Sequence, residues 1–412
     1  MKSNALIIIL LIILCSKIAT AQNKEFLFTS MIDSIVNHGI RNNAYPGAQI
    51  YLYKKGKLNY HQTYGFHTYD SLVSVKKKDL YDLASVTKVL AGTLAFMKLY
   101  EIYKIDLDAR ISSYLPKLKR GNKKNTTFRE VLSHSAGWLP YLAHQNTVRK
   151  KNGTFKKRTL RHKASKRYPI QISDSLFVYK KYKKKIMRRI KRTKVSNTGT
   201  YLYTGLLFFL IPQLTKQLSG LSFETFLDTH FYQPLQLERL TFLPMKSFSK
   251  NEIVPTEYDI FFREQLVQGW VHDEAAALMG GVSGNAGLFA NAASIAPLLE
   301  LLLNKGIYKG KKILDPKTVS LFTQKAYPNR NNRRGLGFDK PIIGEKEKAY
   351  PSKLASPSSF GHTGFTGTMI WVDPKEESFF IFLSNRVYPS RNQRGLYELN
   401  IRSKLLDHVL NY

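Results

Sequence analysis

The segment from Tyr81 to Tyr100, YDLASVTKVLAGTLAFMKLY, places a serine and a lysine three residues apart at the start of an apolar helical pattern. Residues i and i+3 of a helix share one face, so the amine of Lys88 can reach the hydroxyl of Ser85. Asp82 stands at the expected N-cap, which puts Ser85 in the first turn, where free N–H groups favour developing negative charge. Burial disfavours the ammonium form of lysine, so Lys88 can serve as a base. The segment therefore predicts an activated alcohol nucleophile.

The Ser-x-x-Lys spacing does not settle this interpretation by itself. It occurs three times, at Ser74–Lys77, Ser85–Lys88 and Ser247–Lys250. The first and third copies lie in polar surroundings, and only Ser85 opens a stretch that is apolar enough to be buried. A core helix that begins with serine and threonine would give the same pattern, so both interpretations stay open at this point.

Residues 1–21 have the pattern of an export signal. Lys2 supplies a positive charge, residues 5–14 form an apolar centre, and Ala19-Thr20-Ala21 is a small-residue cleavage site. The apolar centre is short for a membrane span, but an uncleaved anchor and lipidation at Cys15 stay open as alternatives. Because Cys15 is the only cysteine, the cleaved protein would have no disulfide, which favours a bacterial periplasm or cell surface.

The chain is strongly basic, with a formal net charge of +35. Much of this charge is local, because residues 149–194 contain 20 Lys or Arg and a single acid, Asp174. Such a field attracts anionic polymers. No nucleic-acid-binding signature accompanies the run, and an exported protein rarely meets nucleic acid, so nucleic acid is excluded as a partner. A solvated basic face is the favoured interpretation, and attachment to an anionic cell-surface polymer is the alternative.

Hydrophobic periodicity predicts strands and a helix near both ends of the chain. The predicted elements are helix 25–37, strands 48–54 and 57–64, strands 368–372 and 378–384, and helix 395–410. Between them the patterns are mainly helical, with predicted helices over 173–190, 201–220 and 294–303. The economical architecture is an α/β (α+β) fold, in which helices flank an antiparallel sheet built from both chain ends.

The same patterns predict the division of the chain into domains. With 412 residues, 43% of them hydrophobic, the chain can form one large or two medium domains. The sheet domain is predicted to combine residues 22–104 and 290–412. A mostly helical domain, residues 105–289, is predicted to be inserted between them, with residues 149–194 as a basic insertion.

Two histidines are weaker candidates for a catalytic base. His134 ends a predicted short helix, where histidines more often cap or pack. His272 and Asp273 lie on a glycine-rich stretch and are placed to line a cleft, although a structural hydrogen bond between the two is the favoured alternative. The sequence contains no metal-ligand set and no phosphate-binding loop, so no cofactor is expected.

Three motifs in order give the chain a family resemblance. They are Ser85-Val86-Thr87-Lys88, Tyr203-Thr204-Gly205 ahead of a helix, and His362-Thr363-Gly364. Supporting stretches are LSHSAG at 132–137, GNAGLF at 284–289 and PLQLERLTFLP at 234–244. With these motifs the chain resembles the serine β-lactamase and penicillin-binding protein superfamily. It is nearest the branch of class C β-lactamases, D-alanyl-D-alanine carboxypeptidases and esterases, and it is similar to serine hydrolase modules of Bacteroidetes.

The resemblance implies a role for each motif. Ser85 would attack a carbonyl and form an acyl-enzyme, and Lys88 would take its proton or tune the base that does. Tyr203 would transfer protons to the leaving group and from water. The backbone N–H groups of Ser85 and Phe365 would form the oxyanion hole.

The third motif is expected to bind the substrate. The chain departs from the family pattern at three positions, one of them in this motif. His362, Thr363 and Gly364 would hold the substrate carboxylate or ester, with His362 in place of the usual lysine as a donor whose charge depends on pH. Gly205 stands where asparagine or aspartate is usual, and Asn285 stands where histidine is usual.

Two classes of function therefore stay open. The leading prediction is an exported serine hydrolase that acts on a peptide, β-lactam or ester, and the family fold does not decide among these substrates. The alternative is a catalytically impaired binding module of the same fold for cell-wall peptides or anionic surfaces, which Gly205 and the basic run suggest. The oligomeric state is not predicted.

Overall fold

A computed structural model describes residues 23–344 and 349–412 of the chain. The predicted export signal lies outside these described residues, so export stays a prediction. Within the two described ranges, no helix combines the length and the apolar character that crossing a bilayer would require.

Helices and short strands alternate along the chain. The helices are residues 23–41 (α1), Leu94–Tyr103 (α2), Ile111–Tyr114 (α3), Phe128–Leu132 (α4), Tyr182–Arg192 (α5), Ile211–Ser219 (α6), Phe223–Leu227 (α7), Glu274–Leu278 (α8), Ala292–Leu303 (α9), Pro316–Thr323 (α10), Gly395–Glu398 (α11) and Ile401–Asn411 (α12). The strands are Gly47–Lys54 (β1), Lys57–Gly65 (β2), Tyr81–Asp82 (β3), Leu160–Arg161 (β4), Ile170–Ser173 (β5), Leu176–Val178 (β6), Leu240–Phe242 (β7), Glu257–Asp259 (β8), Gln265–Val267 (β9), Leu288–Ala290 (β10), Ile307–Tyr308 (β11), Lys311–Lys312 (β12), Phe360–Thr363 (β13), Met369–Asp373 (β14) and Ser378–Ser384 (β15).

The largest sheet joins the two ends of the chain. Its five strands are antiparallel and follow the order β13-β14-β15-β1-β2. β1 pairs with β15 from Ala48 opposite Ser384 to Lys54 opposite Ser378. The predicted fold class, an antiparallel sheet built from both chain ends and flanked by helices, is confirmed.

Both faces of this sheet are buried, because neighbouring residues of a strand point to opposite sides. Ile50 and Leu52 of β1 belong to a core that also contains residues of α1 and α12. Tyr51 points the other way and packs against a larger core that includes α2 and α9. Two covered faces explain why β15 reads SFFIFLS, with every residue buried and without polar alternation at its centre.

The segment that carries Ser85 is not the single regular helix that its pattern predicts. Tyr81–Asp82 is a strand paired with β10, Ala84–Val86 is one 3₁₀ turn, and Lys88–Thr93 is wound as a π-helix before α2 begins. Asp82 is therefore not a regular N-cap, although its Oδ1 accepts a hydrogen bond of 2.8 Å from the amide of Ala84. Ala84 has a φ of +44°, a costly conformation for a residue with a Cβ and one that clusters at functional sites.

The apolar stretch at 201–220 is also less helical than predicted. Its helix begins only at Ile211, because Pro212 suits the first turn of a helix and disrupts an interior. The preceding residues form turns and irregular backbone. Tyr203 therefore lies on an irregular segment that is fixed by tertiary contacts.

Two other predicted helices need correction. Within 173–190, Leu176–Val178 is a strand of a small sheet, and the helix begins at Tyr182. The predicted C-terminal helix, 395–410, is broken at Asn400, which has a φ of +51°. The inserted part of the chain thus contains short strands as well as helices, and its limits stay a prediction.

Candidate active site

Ser85 and Lys88 are in direct contact. Lys88 Nζ lies 2.8 Å from Ser85 Oγ and donates a hydrogen bond of 3.1 Å to the backbone oxygen of Asn285. The lysine is only 3% exposed. A buried lysine at this distance can accept the proton of a serine hydroxyl once its own amine is neutral.

Tyr203 completes a triangle with these two residues. Its Oη lies 3.3 Å from Ser85 Oγ, and Lys88 Nζ lies 5.5 Å from the centroid of its ring. His134 holds the tyrosine in place, because its Nδ1 accepts a hydrogen bond of 3.1 Å from the amide of Thr204 and its ring centroid lies 4.7 Å from that of Tyr203. His134 itself is fully buried, which fits the structural role favoured for it.

The surroundings of Tyr203 favour its ionised form. Burial alone raises the pKa of the phenol, but the charge of Lys88, the hydrogen bond with Ser85 and the charge of Arg334 outweigh it, so the pKa of Tyr203 lies below its usual value. A phenol with a lowered pKa is better suited to exchange protons with a leaving group and with water.

The end of β13 is tied to the backbone just before Ser85. Thr366 Oγ1 donates a hydrogen bond of 2.7 Å to the backbone oxygen of Asp82, and Thr368 Oγ1 donates one of 3.0 Å to that of Leu83. A Cβ on Gly364 would lie 2.6 Å from Leu83 O. These contacts fix the turn after His362-Thr363-Gly364 relative to the nucleophile.

His362 is not the pH-dependent donor that the sequence suggests. Its Nδ1 lies 2.7 Å from the backbone oxygen of Thr363 and therefore donates to it, which leaves Nε2 as an acceptor. Burial, with the charges of Arg334 and Lys88, lowers the pKa of His362 to about 3. The imidazole is therefore neutral at physiological pH.

Ser85 opens into a cavity of about 420 Å³ that most of the predicted catalytic groups share. Lys88, Tyr203 and Phe365 also line it, so both backbone groups predicted to form the oxyanion hole belong to residues of one cavity. His362, Thr363 and Gly364 are not among its lining residues, and the ring centroid of His362 lies 6.0 Å from that of Tyr203.

The expected pair of His272 and Asp273 does not form. His272 Nε2 lies 2.7 Å from Glu257 Oε2, whereas Asp273 caps α8 by accepting a hydrogen bond of 2.7 Å from the amide of Ala276. Both residues do line the cavity, as the sequence suggested, together with Glu274, whose Oε1 lies 2.8 Å from Arg391 Nη1. Arg391 also lines this part of the cavity, so its charge is balanced against that of Glu274.

Arg334 lies beside Tyr203, although it is not among the residues that line the cavity, and the sequence patterns do not reveal it. It is 4% exposed, and the centre of its guanidinium lies 5.3 Å from the centroid of the Tyr203 ring. Its Nε lies 3.3 Å from Oδ1 of Asp339, and the same carboxylate also pairs with Arg333. One carboxylate between two guanidinium groups leaves the three side chains with a net positive charge. Nη1 has no hydrogen-bond partner among the described residues. No motif marks Arg334, because the long connection before β13 carries no regular pattern.

Two of the three departures from the family pattern, Gly205 and Asn285, are neighbours in the structure. A Cβ on Gly205 would lie 4.0 Å from Asn285 Cβ and 3.7 Å from Lys88 Cε. The side chain of Asn285 therefore borders the space that an asparagine or aspartate at 205 would occupy. Its Oδ1 accepts a hydrogen bond of 2.6 Å from Ser283 Oγ, which fixes its orientation.

Two glycines of the site are expected to respond differently to a methyl group. Gly364→Ala should lower the free energy of unfolding by about 1–3 kcal/mol, because its Cβ would lie 2.1 Å from Thr368 Oγ1 and 2.6 Å from Leu83 O. Gly205→Ala, whose Cβ meets nothing closer than 3.7 Å, is the matched control and should stay within about 0.5 kcal/mol of the parent. Urea unfolding measures both, and equal stabilities would contradict the packing described for Gly364.

The buried His362 is expected to make the protein acid-sensitive. Its folded pKa of about 3 lies below the usual value of 6.5, so the unfolded chain binds the proton first and stability falls as the pH drops below 6.5. Lowering the pH from 7 to 5 should therefore reduce the free energy of unfolding by roughly 2 kcal/mol through this histidine alone. Urea unfolding at both pH values should show a smaller loss in His362→Gln than in the exposed control His38→Gln, and equal losses would refute the assignment.

Comparisons with known proteins identify the family of the chain. A family model described as Beta-lactamase matches residues 32–402. A protein of Escherichia coli (strain K12) named as a D-alanyl-D-alanine carboxypeptidase is 29% identical over 371 residues, which cover 83% of this chain and 79% of that protein. An N-acetylmuramyl-L-alanine amidase of Bacillus subtilis (strain 168) is 29% identical over 402 residues, covering 90% of this chain and 84% of that protein.

A solved structure titled as a class C β-lactamase shares the fold, with a TM-score of 0.65 and 15% identity over 93% of this chain and 96% of that one. The resemblance drawn from the three motifs is thereby confirmed. Because the family model matches residues 32–402, which are most of the chain, the chain belongs to the β-lactamase family.

Proposed function

We propose that this chain is an exported serine hydrolase that acts through an acyl-enzyme as a D-alanyl-D-alanine carboxypeptidase. The observation that carries the proposal is the triangle of Ser85, Lys88 and Tyr203, which all line one cavity, with Lys88 Nζ 2.8 Å and Tyr203 Oη 3.3 Å from Ser85 Oγ. The name of the Escherichia coli relative supports the choice of reaction within the family.

In the proposed mechanism, Ser85 Oγ bonds to the carbonyl carbon of the penultimate residue while its proton passes to Lys88 or Tyr203. The carbonyl oxygen becomes an oxyanion that the amides of Ser85 and Phe365 would stabilise. The C–N bond then breaks, and Tyr203 returns the proton to the leaving amine. Water attacks the ester carbonyl and passes a proton through the same two side chains to Ser85 Oγ while the acyl C–O bond breaks, which releases the peptide acid and free Ser85.

The electrostatics beside Tyr203 support a substrate that ends in a carboxylate. Arg334 keeps a net positive charge because Asp339 is shared with Arg333. His362 is neutral and presents an acceptor, so it is a poor carboxylate ligand. Neither residue lines the cavity, so in this proposal Arg334 attracts the carboxylate through its charge, in place of the His362 predicted from the motif.

Arg334→Met is expected to raise KM for a D-alanyl-D-alanine peptide about tenfold or more, since hydrogen bonds and charge pairs to ionised groups are worth about 1.5–3 kcal/mol. For an ester without a carboxylate, KM should change less than threefold. Steady-state kinetics on both substrates measure the difference, with Arg330→Met, an exposed arginine outside the ion pairs of Asp339, as the control. An equal effect on both substrates would show that Arg334 acts on the fold and not on the carboxylate.

Intact-mass spectrometry and a D-alanine release assay test the proposed function together. The protein without residues 1–21 is treated with benzylpenicillin, with a fluorophosphonate, and with a diacylated Lys-D-Ala-D-Ala peptide. One adduct per chain with each probe and release of D-alanine would support the carboxypeptidase. A fluorophosphonate adduct without penicillin reaction would favour an esterase, and rapid decay of the penicillin adduct would favour a β-lactamase.

The relative from Bacillus subtilis gives a second candidate, an amidase that cleaves between muramic acid and L-alanine, because it matches 90% of this chain. Digestion of muramyl pentapeptide separates the two reactions, since a carboxypeptidase releases D-alanine and an amidase releases the whole peptide. No adduct and no product from any of these substrates would favour the binding module that Gly205 suggested.

A further inference from the structure

A long groove on the surface lies outside the active-site cavity. Its first part, about 690 Å³, lies between α5, α6 and the turn at Pro116–Leu118. Its second part, about 730 Å³, continues toward Trp270. The two parts adjoin, because Lys183, Pro212 and Lys216 line both of them. Either part alone has the volume of a ligand-binding pocket.

The floor of this groove is apolar. In the first part it is formed by Leu115, Leu118, Met187, Leu210 and Pro212. The second part adds further apolar side chains, namely Ile170, Phe223, Leu243, Met245, Trp270, Met279 and Val282. An apolar floor that extends through both adjoining parts suits an extended hydrocarbon chain.

The rim of the first part carries only positive charges. Its lining contains six cationic side chains and no acid, namely Lys117, Lys183, Lys184, Arg188, Lys191 and Lys216. None of the six forms an ion pair with another residue in the described parts of the chain. Lys183, Met187 and Lys191 follow one another at four-residue spacing along α5, so one helix face supplies both charge and apolar contact. The acid of the second part is Glu224.

We propose that the groove, lined as above and centred on Lys183 and Met187, binds an anionic phospholipid of a bilayer. One acyl chain would lie along the apolar floor, and the phosphate headgroup would lie among the cations of the rim. The apolar floor is the reason to prefer a lipid over a soluble polyanion, which needs charge but no channel. In this proposal the basic residues near α5 serve to bind the lipid phosphate.

The first test measures binding to vesicles. The protein without residues 1–21 should bind vesicles of equal parts phosphatidylglycerol and phosphatidylcholine, and should not bind phosphatidylcholine alone. The variant K183Q/K184Q/K216Q should bind about 100-fold more weakly, since each lysine at an anionic surface contributes roughly fivefold. Met187→Glu, which places a negative charge on the groove floor, should also weaken binding at least tenfold.

A matched control separates the groove from net charge. K150Q/K151Q/K157Q removes the same charge from exposed positions of the same basic insertion that do not line the groove, and it should weaken binding less than threefold. An equal loss in the two triple variants would overturn the proposal. Thermal unfolding and fluorophosphonate labelling of every variant check that the fold and the active site are unchanged.

The second test places the acyl chain. Trp270 lines the groove, whereas Trp138 and Trp371 are 0% and 1% exposed. Phosphatidylglycerol with dibrominated acyl chains should therefore quench the tryptophan fluorescence, and Trp270→Phe should remove the quenching. Vesicle binding without quenching would overturn the proposal. Soluble polyphosphate that competes fully with the vesicles, again without quenching, would assign the cations to a polymer.

Discussion

Ser85→Ala is expected to abolish acylation by penicillin and by fluorophosphonate and to lower peptide hydrolysis about 10⁴-fold or more. Among the described residues that line the cavity, Ser85 is the only serine, threonine or cysteine. Removing the nucleophile of a serine hydrolase leaves only binding and oxyanion stabilisation. Intact-mass spectrometry measures the loss of the adduct, and an assay of released D-alanine measures the loss of turnover.

Two serines with the same spacing to a lysine provide matched controls. Ser74→Ala and Ser247→Ala change exposed copies of Ser-x-x-Lys and should leave both readouts within twofold of the parent. Full labelling of Ser85→Ala would place the nucleophile elsewhere and would contradict the proposed mechanism. Equal urea unfolding curves for Ser85→Ala and the parent would show that the loss is chemical.

Four of the five strands of the sheet were predictable, because each carries its own local apolar pattern, whereas β13, Phe360–Thr363, was not predicted from its pattern. β1 and β2 are separated by Lys55-Gly56, and Gly56 has the positive φ of +81° that a tight turn requires. β15 is a run of buried residues bounded by polar ones. A sheet completed from both chain ends followed from the order of the predicted elements, whereas the pairing of β1 with β15 is known only from the structure.

The details of the active site were less accessible, because tertiary contacts override local preference there. The apolar pattern after Ser85 predicts an α-helix, but Thr87 and Asp82 hold the backbone of β10 and of His272, and the chain winds through a 3₁₀ turn and a π-helix. Arg334 has no sequence signal, since its position beside Tyr203 depends on a long irregular connection. The neutral state of His362 follows from burial, which no motif encodes.

Lys88→Met is expected to slow acylation about 10³–10⁴-fold while leaving Ser85 in place. The lysine contacts Ser85 Oγ at 2.8 Å and is the largest of the influences that lower the pKa of Tyr203, so its loss removes a base and weakens a second proton carrier. Methionine has a similar length, which keeps the buried site filled. Stopped-flow acylation by a chromogenic cephalosporin measures the rate, and the pH at which the residual rate rises should move upward, because the pKa of Tyr203 rises without the nearby charge.

Lys98→Met is the matched control for this experiment, because Lys98 lies on α2 further along the same segment and donates to the backbone oxygen of Ile313 at 2.8 Å. Its acylation rate should stay within threefold of the parent. Lys88→Arg provides a second comparison, since arginine keeps the charge but does not give up its proton in proteins. If the positive charge alone were needed, Lys88→Arg would keep most of the activity. A loss as large as that of Lys88→Met would show that Lys88 must also accept a proton, and a rate within tenfold of the parent in Lys88→Met would assign the role of base to Tyr203 alone.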